Sequence, residues 1–279
     1  MFRRPSRIIV PEYKAPAGLS LLAAAELLGE GTRAVSAQII DLVVRKALTI
    51  APLDSTRKRQ SGFALTLKSL DGLGPDELDM MQALFPRGVV GEKLEVRPKR
   101  NTALSRRLRL PHGRAVARLV VAGQARERTW LERTFGRGSA QPVVPLPAAD
   151  RTVDHLWGMR DYIALAEKDR LAFLQSPKGA ELRHDVSIDA QVLVLNEKLL
   201  PYAVLFGLEK EWVRELGVRY EALTDDDLLA LDMIGDVLVF ALDPDVWEAV
   251  GVIADLSEVL VGVGRIFGGN VLFIVSLGN

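Results

Sequence analysis

The chain has 279 residues, 48% hydrophobic and 26% charged, a composition that supplies apolar side chains for packed cores and does not fit a disordered polymer. It has no cysteine, which excludes disulfides, thiolate nucleophiles and Cys-ligated metal centres. A formal net charge of zero conceals an asymmetry: residues 1–149 carry 25 basic and 13 acidic side chains, whereas residues 150–279 carry 11 and 23, so either the halves neutralise each other or the basic half faces something anionic.

The first residues are basic, but the apolar run Ile8-Ile9-Val10 is too short for the core of a signal peptide and reads as a short strand. Ser20 caps a helix through Leu28 that Gly29 and Gly31 end. A second helix, over about 33–47, places Val35, Ile39, Leu42 and Val43 on one face. Residues 49–53 and 63–67 read as the strands of a hairpin, and its predicted loop, 54–62, carries Arg57, Lys58 and Arg59 at an exposed, mobile tip. Helix, turn, helix and a hairpin with a basic loop is the outline of a winged helix.

Pro75 opens a further helix, with Asp76, Glu77 and Asp79 at the positive end of its dipole. Residues 97–137 hold 12 Lys and Arg against only Glu127 and Glu132, and a helix over about 114–128 uses Val116, Leu119 and Val120 as its apolar side. Residues 136–147 contain three prolines and two glycines, which exclude a helix or a central strand and mark a boundary where the charge changes sign. Beyond it, helices are expected over about 154–174, 188–206, 209–216 and 228–242, with a last long one opened by Asp243-Pro244. Pro201 bends the second of these, and Tyr202 and Trp212 are expected in the core. The fold class is thus α+β and mainly helical: a basic winged-helix-like domain with extra helices over 1–135, a Pro/Gly linker over 136–150, and an acidic helical domain over 151–279.

Few residues carry chemistry. His112, His155 and His184 have no His or acidic partner at a metal-ligand spacing and read as incidental. Asp225, Asp226 and Asp227 lack the spaced oxygens and Gly turn of a calcium loop, and Asp161, Glu167 and Asp169 read as a solvated helix face. Gly262, Gly264, Gly268 and Gly269 follow helical sequence and form no phosphate fingerprint, and there is no Gly-x-Ser-x-Gly elbow. No catalytic, metal or cofactor-binding residue is assigned, and the chain is read as non-enzymatic. In the second helix only Arg33, Ser36, Gln38, Arg45 and Lys46 could reach bases or phosphates, a thin surface that keeps a winged-helix nucleic-acid-binding protein as the alternative function.

Ala17-Gly18-Leu19-Ser20, Ala23-Ala24-Ala25-Glu26-Leu27-Leu28-Gly29 and the run from Ala37-Gln38-Ile39-Ile40 to Ala47-Leu48-Thr49-Ile50 resemble the cytoplasmic start of the YciQ-like predicted membrane proteins of unknown function. Residues 161–171, with Glu167, Asp169 and Arg170, and 199–212, with Pro201, Tyr202, Gly207 and Trp212, look like that family's two most recognisable stretches. The resemblance covers roughly residues 8–85 and 152–220. It implies a cytoplasmic regulatory or protein-interaction module at the inner face of a membrane, without an established activity, cofactor or named protein partner. The family's extracytoplasmic domain and membrane spans are missing from this chain, the spans being expected near 136–147. It also offers a reason for the charge, because basic residues gather beside spans on the cytoplasmic side and that leaflet is anionic. The candidate contacts with an anionic surface are Arg57, Lys58, Arg59, Arg100, Arg106, Arg107, Arg109, Arg114 and Arg118, unless the acidic half consumes them.

Overall fold

The structure, a computed structural model, describes residues 14–53, 63–96, 102–135, 142–164 and 198–208. These form a mixed α/β fold that is mainly helical, with two small antiparallel sheets. No helix among them is long and apolar enough to cross a membrane.

Helix α1 (Leu21–Leu28) starts where the Ser20 hydroxyl accepts the Ala23 N–H at 3.1 Å, and it stops at Gly29, whose φ of 74° is left-handed. Every residue of α1 is buried. A single 3₁₀ turn, Gly31–Arg33, leads into α2 (Ala34–Val44). The expectation of one apolar face on α2 is too narrow: Ala34 to Ile40, Leu42 and Val43 are all buried, so the helix is enclosed on every side. It ends at Lys46, a non-glycine residue with φ of 58°, where the Ala47 N–H donates to the Leu42 carbonyl.

The predicted hairpin is present as β1 (Leu48–Pro52) and β2 (Phe63–Leu67), which pair antiparallel with Leu48 opposite Leu67 and Pro52 opposite Phe63. Pro52 costs no ladder bond in the interior of the sheet, since β1 is an edge strand. Phe63, Leu65 and Leu67 alternate inward along β2. The loop between the strands, with Arg57, Lys58 and Arg59, lies outside the described residues. Helix α3 (Pro75–Leu84) opens on Pro75, with the Glu77 carboxylate accepting the Gly74 N–H at 2.6 Å, and β3 (Lys93–Val96) then returns to pair with β2.

The helix expected over about 114–128 is displaced. Helix α4 runs over Thr102–Val121 with Pro111 inside it, and Gly123, at φ of 68°, terminates it. Residues expected in its last turns instead form β4 (Ala125–Glu127), which pairs with β5 (Val143–Pro145). Between them lies α5 (Trp130–Phe135). Helix α6 covers Asp150–Ala164, and residues 198–206 form a last described helix, α7. Pro201 stands in the first turn of that described stretch, and the part expected to bend there, before residue 198, lies outside it.

Two apolar clusters organise these elements. The larger joins α1, α2, the three-stranded sheet and α3 to Leu156, Trp157, Met159, Tyr162 and Ile163 of α6 and to Leu199, Leu200, Tyr202, Val204 and Leu205 of α7. The smaller packs Ala23 and Leu27 of α1 against Val116 and Leu119 of α4, together with Ala125 and Val143 of the small sheet. Helix α1 therefore lies between two cores.

Candidate functional site

Charged side chains gather where α2, α3 and α4 meet. Arg45, one residue beyond α2, pairs with Glu77 of α3, lies 3.4 Å from Asp41 and donates to the Gly72 carbonyl at 2.7 Å. Gln38, fully buried, spans the seam between α1 and α2: its carbonyl accepts the Leu21 N–H, and its amide donates to Asp41, both at 3.1 Å. Asp41 is thereby held in a place that disfavours its charge. Burial pushes its carboxyl up to about 6, aided by Glu77 and opposed by Arg45 and Gln38. Tyr202, from α7, is pushed up by burial and further by the charges of Asp41 and Glu77, so its hydroxyl stays protonated.

On α3, the Ser20 hydroxyl donates to Asp76 at 2.5 Å, which ties the α1 cap to the α3 N-terminus. Two of the arginines expected to face an anionic surface are engaged here. Arg118 pairs with both Asp76 and Asp79, and Arg114 with Asp79 at 2.5 Å. The acids that engage them lie in the same basic half of the sequence, not in the acidic half. Arg126 is likewise held by Glu132 through two contacts of 2.7 and 2.8 Å, and that hydrogen-bonded pairing draws the Glu132 carboxyl down to about 2.

Arg106 and Arg109 are exposed and Arg107 is half-buried, and among the described residues none of the three has a carboxylate partner. Arg106, Arg109 and Leu110 fall within a turn of one another on the solvent side of α4, one turn before Arg114. Arg100 lies outside the described residues, as do Glu167, Asp169, Arg170 and Trp212. Pro201 and Tyr202 are buried, as expected of structural residues. Gly207 ends α7 at φ of 73°, and a Cβ there would stand 2.8 Å from the Arg33 guanidinium carbon. That guanidinium donates to the Val204 carbonyl at 3.3 Å and so caps α7.

Of the side chains by which α2 would read a nucleic acid, Ser36 and Gln38 are buried and Arg45 is tied to Asp41, Glu77 and Gly72. No group of three or more metal-ligating side chains occurs among the described residues.

Sequence reasoning missed one pairing. Glu26, in the middle of α1, is 1% exposed, and the Nε2 of His112 on α4 lies 3.1 Å from its Oε1. The contact becomes an ion pair when the imidazole is protonated. A glutamate between two apolar runs in α1 was the available signal, because such a position is buried and a buried carboxylate requires a partner. No family model, curated protein or solved structure matches the chain.

Proposed function

We propose that the chain is a non-catalytic interaction module that presents the outer face of α4 to the anionic surface of a membrane on its cytoplasmic side. The observation that carries this reading is the division among the α4 arginines: Arg114 and Arg118 are paired with α3 acids, while Arg106, Arg107 and Arg109 have no carboxylate partner among the described residues. Leu110, 53% exposed beside them, adds an apolar contact of the kind an interfacial helix uses. Each cation close to an anionic leaflet contributes about 1 kcal/mol, so three give weak, salt-sensitive attachment that needs a second contact to be stable. The resemblance to the YciQ-like family over roughly residues 8–85 and 152–220 belongs to the same proposal, as does a regulatory role toward a protein partner.

The winged-helix outline enters this reading as a scaffold. With α2 enclosed on every side, the helix–helix–hairpin unit positions α3 and α4 and does not itself read a groove.

The test is co-sedimentation of the full chain with vesicles of phosphatidylcholine, with and without phosphatidylserine. Binding only to the anionic vesicles, reversed by high salt and lost in the Arg106→Gln/Arg107→Gln/Arg109→Gln variant, is expected. Equal binding by that variant would overturn the assignment, and retardation of duplex DNA at lower protein concentration than vesicle binding would favour the nucleic-acid alternative.

A further inference from the structure

We propose that Glu26 and His112 form a proton-operated latch that fastens α4 to α1. Helix α1 offers a carboxylate no water: all eight of its residues are buried. Glu26 is closed in by a wall of backbone, since a Cβ on Gly31 would stand 2.7 Å from its Oε1 and 3.9 Å from the His112 ring. A buried carboxylate in that position is tolerated when a cation faces it and is costly when none does. His112 supplies that cation. Its side chain is 22% exposed, so a proton can reach the ring without unfolding the seam.

The other charged groups near this seam are engaged elsewhere. Asp76 and Asp79, on α3, hold Arg114 and Arg118, the arginines of the α4 turns that follow His112. Arg33, at the end of the turn that begins with Gly31, donates to Val204 on α7. On the small sheet beyond α4, Arg126 pairs with Glu132. Glu26 alone acts on the imidazole: burial opposes the ring's charge, the carboxylate outweighs burial, and the pKa stands above its ordinary value.

The sign follows from that direction. A histidine whose folded pKa exceeds its unfolded value, about 6.5, contributes its full stability below that value and loses it as pH rises through the folded pKa. The latch is therefore closed at mildly acidic pH and opens with alkalinity. When it opens, Glu26 faces a neutral ring, and α4 keeps only its apolar contacts, Leu104, Leu108 and Ala115 in the larger core and Val116 and Leu119 in the smaller, with the Arg114 and Arg118 pairs to α3.

Two measurements on the full chain test this. The first is the NMR titration of the His112 ring. The ring is expected to titrate above 6.5 in the native protein and at or below it in Glu26→Gln; titration at or below 6.5 in the native protein would overturn the proposal. The second is amide hydrogen exchange, corrected for intrinsic rates, between pH 6 and 9. Val116 and Leu119 on α4 should lose up to about tenfold protection per pH unit as pH rises from about 6.5 towards the folded pKa, and no more above it, while Leu65 on β2 loses less. In His112→Lys, which remains charged throughout that range, the α4 amides should stay protected. Equal loss on α4 and β2, or the same loss in His112→Lys, would reduce the pair to a packing contact. The lysine variant keeps the test open if Glu26→Gln fails to fold.

Discussion

At Asp41, burial outweighs the guanidinium of Arg45, and the carboxyl titrates at about 6 rather than 3.8. The folded state therefore holds this proton more tightly than the unfolded chain does. Below pH 3.8 both states are protonated and Asp41 contributes nothing; between that value and about 6 ionisation becomes progressively more costly to the fold. At neutral pH the cost reaches roughly 3 kcal/mol, taking about 1.4 kcal/mol per pKa unit. Asp41→Asn should raise the unfolding free energy by about 1–3 kcal/mol at pH 7 to 8, the lower end reflecting the partner lost by Arg45. The gain should vanish near pH 4, which urea titrations at a series of pH values would show. A gain that persisted at pH 4 would mean that the carboxylate's charge is not what burdens this position. The residue scale is also where the sequence was least informative. Asp41, Arg45 and Glu77 are all visible in it, but their convergence depends on how α2 and α3 cross. Glu26 and His112, on different helices far apart in the chain, carry no shared motif.

For the elements, local signals set the boundaries wherever the signal was chemical. Ser20 and Gly29 delimit α1, and Pro75 opens α3, at the residues where capping chemistry places them. Helix α4 departs at both ends from the span that its apolar pattern implies. It runs through Pro111 because α3 and α1 pack against it, so the hydrogen bond lost at the proline is offset by packing, and Gly123 stops it short of residue 128. A capping argument also yields a prediction at the end of α2. Lys46 occupies the left-handed region, which costs a side-chain-bearing residue about 1–2 kcal/mol, and it is exposed. Lys46→Gly should therefore stabilise the protein by up to about 1 kcal/mol, the rest being offset by the greater freedom of glycine in the unfolded chain. A fall in the urea midpoint would show that the lysine side chain makes a stabilising contact that outweighs its backbone. Gly207 presents the opposite case: Gly207→Ala would meet both the left-handed backbone and the Arg33 guanidinium, and should cost about 1–3 kcal/mol, read as a lower thermal midpoint.

For the whole molecule, side chains of α6 and α7 complete the core built by α1, α2 and the sheet. Leu200→Ala, in α7, should cost about 2–5 kcal/mol and lower the whole transition, with β2 and α2 losing exchange protection together. If only α7 loosened while β2 kept its protection, the shared core would behave as two. The sequence made the excess positive charge of residues 1–149 plain, but not its disposal: Asp76 and Asp79 neutralise part of it locally, leaving a narrower cationic strip than the composition implies. The enclosure of α2 bears on how this chain can change over time. A helix with one wet side accepts drift at every third or fourth position, whereas α2 offers only Asp41 and Val44 as partly exposed sites along its eleven residues. Its substitutions are best tolerated as volume-matched pairs with residues of its neighbours, whereas exposed α4 positions other than Arg106, Arg107 and Arg109 accept change one residue at a time.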